Sequence, residues 1–142
     1  MIDLYTITSN LPSRRAVNFL NEHGIEFREH PISRTGTKID LNDLKQMLAA
    51  SENGVDGLLS HQSSSYLALT QHHNLDEMPL HELLSFIHDD ATLLHFPIIF
   101  DYQHHLLQTG FSINEVRTFI PRQTREAEFS KLLKALNDTD AS

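Results

Sequence analysis

The first thirty-two residues, MIDLYTITSNLPSRRAVNFLNEHGIEFREHPI, constrain the fold more than any other stretch of the chain. Ile2 to Thr6 alternates apolar and polar side chains, with Tyr5 and Thr6 supplying β propensity, and reads as a strand. Asn10, Pro12 and Ser13 make a turn. Pro12 suits the first turn of a helix, where its missing N–H has no intrahelical partner to lose. Ala16, Val17, Phe19 and Leu20 form a helical apolar stripe that Gly24 closes. Ile25 to Ile32 reads as a second, short strand. A crossover of this length makes the two strands parallel with a right-handed connection, which commits the chain to an α/β architecture.

Beyond this unit the pattern is helical and more polar from about residue 33 to 96, with turn signals at Gly36, Asn53-Gly54, Asn74 and Pro79. Asp40 is placed to cap a helix over Leu41 to Ala50 whose core side would be Leu44, Met47 and Leu48. A second helix runs roughly through Ser63 to His72. A third, Leu80 to Asp89, carries Leu80, Leu83, Leu84 and Ile87 at helical spacing. These helices form an insertion between two halves of a small mixed sheet. The sheet resumes at Pro97 to Asp101 and returns as a hairpin through Tyr102 to His104 into His105 to Thr109. After Gly110 the spacing predicts a short helix over Ile113 to Phe119 and an amphipathic one from about Glu126 to Leu136. The polar tail covers about residues 137–142. One domain spanning 1–142 is expected.

Composition narrows the function classes. The chain has 142 residues, 39% of them hydrophobic, enough to close one core, and it contains no cysteine. Eleven basic against 19 acidic residues give a net charge of −8, which phosphate backbones repel, so autonomous nucleic-acid binding is not expected and a basic protein partner is easier to accommodate. Absence of cysteine fits a reducing compartment. No basic segment followed by an apolar run opens the chain, and no apolar run reaches the ~20 residues that cross a bilayer. A cytoplasmic protein without membrane attachment is the expectation.

Several segments, in order, carry a family resemblance: LYT, the helix after it, IDLNDLKQML, SENGVDGLLS, EMPLHELLSFI, LLHFPIIFD, QTGF and NEVRTFIPR. Together they resemble the Spx and arsenate reductase (ArsC) family across about residues 1 to 135, with MPL, PII and FIPR arranged as in the Spx branch. The resemblance implies an ArsC-like thioredoxin fold. It also implies a transcriptional regulator that binds the C-terminal domain of the RNA polymerase α subunit and meets promoter DNA only through the polymerase. In that family a CxxC after the first strand is a disulfide switch. Asn10 and Ser13 stand at those positions here, and neither can form a disulfide. The glycine that the family needs for polymerase contact matches Gly54, flanked by Ser51, Glu52, Asn53 and Asp56. Pro97 matches the fold's cis-proline, preceded by His95 and Phe96 where the family commonly has a pair of arginines.

Each position also has a plainer reading. Asn10 and Ser13 suit a helix N-terminus as caps. A backbone anion site there, helped by Arg14 and Arg15, is an alternative to a solvated basic patch. Pro97 read from propensity alone is a trans proline opening a strand, and Phe96 removes the guanidinium an oxyanion would need. Gly54 is a helix terminator whatever else it does. The pairs His72-His73 and His104-His105 cannot chelate from adjacent positions on a helix or strand, so no metal and no cofactor is expected. The resulting expectation is a non-enzymatic, Spx-like regulator, monomeric when free, that has lost the disulfide switch. The alternatives are an adaptor or antagonist using the same surface, and a degenerate ArsC-type reductase.

Overall fold

The computed structural model describes residues 2–34 and 36–112, and the helices expected over Ile113 to Phe119 and Glu126 to Leu136 lie outside them. Strand β1 (Ile2–Ile7) leads through helix α1 (Leu11–Glu22) to strand β2 (Phe27–Ile32). Helices α2 (Leu41–Ala50), α3 (Ser64–His72) and α4 (Leu80–Asp89) follow, with short 3-10 turns at Gly54–Gly57 and Ala91–Leu93. Strands β3 (Ile98–Asp101) and β4 (Leu106–Thr109) complete a sheet of order β2-β1-β3-β4. β1 pairs with β2 in parallel and with β3 antiparallel, and β3 pairs with β4 antiparallel, so the sheet is mixed.

Strand alternation divides the interior. Leu4 and Ile99 point to one face, where Ala16 and Leu20 of α1 pack on them. Tyr5, Ile98 and Phe100 point to the other, where they meet Leu44, Met47, Leu83, Leu84 and Ile87 of the inserted helices. The caps that the sequence announces set the helix limits. Asn10 and Asp40 each accept a backbone N–H of the first turn of their helices, from Ser13 and Asn42.

Three details differ from the sequence reading. Ile25 is buried but lies outside β2, because its N–H bonds Leu20 O at 3.0 Å while Gly24, at φ +65°, turns the chain. This six-to-one closure uses Ile25 as the apolar plug of the helix end, and the strand starts two residues later. Leu80 opens α4 but is 48% exposed, since the first turn of that helix overhangs the core. Leu48 is only half-buried.

Candidate functional site

At the start of α1, the two positions expected to correspond to a lost CxxC pair hydrogen-bond to each other. Asn10 Oδ1 accepts from both the backbone N–H and the hydroxyl of Ser13, each at 2.8 Å. Ser13 Oγ in turn accepts the N–H of Ile7 at 3.3 Å. Ser13 is 2% exposed, so its one hydroxyl proton is committed to Asn10 and its oxygen faces protein rather than solvent. A serine acts as a nucleophile when a base takes that proton, and an amide oxygen is no base. The groove beside this turn, about 320 Å³, is lined by Arg14 but also by Glu29, whose carboxylate opposes an anion. Arg14 and Arg15 are exposed.

The Phe96–Pro97 peptide bond is cis. Phe96 is buried in the core, and His95 is exposed with its ring over Gly110, where an added Cβ would come within 2.7 Å of it. The backbone just before Pro97 also holds the loop after α2. His95 N–H donates to Leu58 O at 2.9 Å, Ser60 N–H donates to Leu93 O at 2.8 Å, and Leu59 bridges Leu94 in antiparallel fashion.

The loop itself is built by its own side chains. Ser51 ends α2 and its hydroxyl donates to Gly54 O at 2.8 Å, folding the SENG segment back on the helix end. Gly54 has φ +62°, a left-handed conformation that other residues rarely adopt, and a Cβ built there meets nothing within 4 Å. Thr109 of β4 donates its hydroxyl to Gly57 O at 2.8 Å, fixing the loop to the sheet. Glu52, Asn53 and Asp56 are exposed, and Ser51 and Gly54 are half-exposed. The arrangement offers a bare backbone at Gly54, ringed by two carboxylates and an amide, on a mount tied to two other segments. Sequence patterns gave no sign of Thr109 or of the Leu59–Leu94 bridge, because both depend on pairings more than thirty residues apart.

Among the described residues no hydrogen bond or ion pair joins Asn10 or Ser13 to the Ser51–Asp56 loop. His104 bonds Asp101 at 2.8 Å through Nδ1, and no group of three His, Cys, Asp or Glu among the described residues is placed to hold a metal ion. No helix among them is long and apolar enough to cross a membrane.

The model of the ArsC family matches residues 5–119. The global transcriptional regulator Spx 1 of Lactococcus lactis is 37% identical over 128 residues, covering 90% of this chain and 95% of the relative. The global transcriptional regulator Spx of Staphylococcus aureus is 37% identical over 125 residues, with 88% and 91% covered. Among solved structures, an ArsC-family-related protein from Bacteroides fragilis superposes with a TM-score of 0.71 at 17% identity, over 84% of this chain and 97% of that one. The arsenate reductase from Vibrio cholerae gives 0.60 at 17% identity, over 76% and 87%. These superpositions show the ArsC-like thioredoxin fold. The family match over most of the chain and the regulators at more than a third identity agree with it, and the chain belongs to the ArsC family.

Proposed function

We propose that this protein is a transcriptional regulator of the Spx type that docks on the C-terminal domain of the RNA polymerase α subunit through the Ser51–Asp56 loop. The observation that carries the reading is the open space above Gly54, where a partner backbone can approach without meeting a side chain. Exposed Glu52 and Asp56 suit a basic partner surface, as does the net charge of −8. Promoter DNA is reached only through the polymerase, the free protein is a monomer, and it works in the cytoplasm. No thiol is present to run either a disulfide switch or a reductase cycle, so activity follows protein abundance rather than oxidation state.

The test is Gly54→Arg. A non-glycine residue at φ +62° costs on the order of ~1 kcal/mol, a modest part of a stability of ~5–15 kcal/mol, while a long cation at a docking centre excludes the partner. The expected result is a folded variant by circular dichroism that no longer binds the isolated α C-terminal domain in calorimetry. Wild-type affinity in the folded variant removes the loop from the interface.

A further inference from the structure

The two edges of the sheet are protected unequally. β2 carries Arg28, Glu29 and Pro31, the charges and the proline that keep an edge strand from pairing with a stranger. β4, with Leu106, Leu107, Gln108 and Thr109, has neither a charge nor a proline. The Gly110 N–H bonds Pro97 O at 2.9 Å, which sets the phase of the β3–β4 ladder. Gln108 and Leu106 therefore spend their backbone groups on Ile99 and Asp101. The N–H and C=O of Leu107 and Thr109 point away from the sheet, and among the described residues none of them has a backbone partner on that side.

A groove of about 500 Å³ runs along this edge. One wall is Ala50 to Asn53 with Gly57, and the other is His105 to Thr109. Leu107 is half-buried on its α2 side, where exposed Glu52 stands on the lip, while half-buried Leu106 faces the α1 side of the sheet, and the lining has no lysine or arginine. We infer that β4 is a docking edge for an extended segment of a basic partner protein, which adds a strand beside it. Its backbone would bond Leu107 and Thr109, and it would alternate apolar side chains toward Leu106 on the α1 side with cations toward Glu52 on the α2 side. A second copy of this chain is the poorer occupant, because pairing two β4 edges brings two Glu52 loops and two charges of −8 together. The groove shares Ser51 to Asn53 with the loop proposed to dock on the polymerase, but the pairing edge of β4 does not depend on that partner.

The probe is an acetylated octapeptide alternating lysine with valine, with a glutamate-valine peptide as its counterpart, added to the full-length protein. Amide exchange at Leu107 and Thr109 is followed by NMR. The expected result is fast exchange at both amides in the free protein, slowed by the lysine peptide and not by the glutamate one. Leu107→Pro removes an outward N–H without touching the ladder to β3 and is expected to weaken peptide binding tenfold or more, while Leu107→Val retains it. Glu52→Lys, an exposed change that needs no refolding of the strand, is expected to reverse the preference between the two peptides. Equal binding of both peptides, or a slowing that avoids Leu107 and Thr109, overturns the proposal. Amides protected in the free protein also overturn it: independence of concentration would assign the edge to residues 113–142 of the same chain, and dependence on concentration to a second copy.

Discussion

Replacing Asn10 by alanine tests whether Asn10 and Ser13 serve together as a structural cap at the start of α1. Asn10 Oδ1 accepts two hydrogen bonds, from Ser13 N–H and Ser13 Oγ–H. Loss of the first removes an N-cap, worth about 1 kcal/mol. Loss of the second strands a hydroxyl on a residue 2% exposed, which costs about 1–3 kcal/mol. Asn10→Ala should therefore destabilise by about 2–4 kcal/mol, and at roughly 4 °C per kcal/mol the melting midpoint should fall by about 8–16 °C. Ser13→Ala removes the hydroxyl and its long bond to Ile7 N–H, for about 1 kcal/mol. In that background Asn10→Ala loses only the cap, so the double variant should be more stable than the sum by about 1–3 kcal/mol. Asn10→Ser, which keeps a capping oxygen, should recover part of the loss. Urea unfolding of the four proteins measures the cycle. Additive losses, or an Asn10→Ala cost under about 0.5 kcal/mol, would mean that the Ser13 hydroxyl is free to turn outward, and the argument against a nucleophile there would fail.

Other outcomes follow from the same geometry. Phe100, 1% exposed and edge-on to Tyr102 at 4.2 Å, fills the centre of the larger core, so Phe100→Ala should cost about 3–5 kcal/mol by urea unfolding. Asp90 sits where burial disfavours its charge, but hydrogen bonds from the Thr92 and Ser65 hydroxyls and Thr92 N–H, with Arg34 nearby, outweigh this and hold its carboxyl below the usual range. A lowered folded pKa gives stability that is present above the unfolded value of about 3.9 and lost as pH falls through the folded one. The urea midpoint should thus decline below about pH 4, and less steeply in Asp90→Asn. Diamide, which oxidises thiols, should leave binding to the polymerase α C-terminal domain unchanged in a two-component calorimetric assay, and a loss of binding would contradict abundance-only control.

Local chemistry made much of this legible. Asn10, Pro12, Asp40 and Gly24 announce their helix ends because capping acts within a few residues, and α4 shows its buried stripe in Leu83, Leu84 and Ile87. The same periodicity misplaces Leu80, since a helical repeat says which side chains share a face and not how far the core extends beneath them. Gly54 was visible as a turn residue, but the fastening of its loop by Thr109 and by the backbone around Leu94 was not. Likewise the mutual bonding of Asn10 and Ser13 needs the depth of Ser13 in the fold, which a capping motif does not encode.

The central position of β1 has a consequence for how the protein is made. Asp3 pairs with Arg28, 25 positions later, and with Phe100, 97 positions later. The first pairing closes within a β1–α1–β2 unit that can form while the rest of the chain is still being synthesised. The second must close a loop about four times longer, an extra entropic cost of about 1.2 kcal/mol. All three helices of the insertion lie inside that loop. The residues that follow the Ser51–Asp56 segment, Gly57 and Leu59, acquire their anchors, Thr109 and Leu94, only when the later chain has emerged and paired. A ribosome-bound chain truncated before residue 94 therefore carries the local Ser51–Gly54 closure without the contacts that fix the following residues to the sheet. Under the docking proposed above, competence to bind would arrive late in synthesis, once β4 has paired.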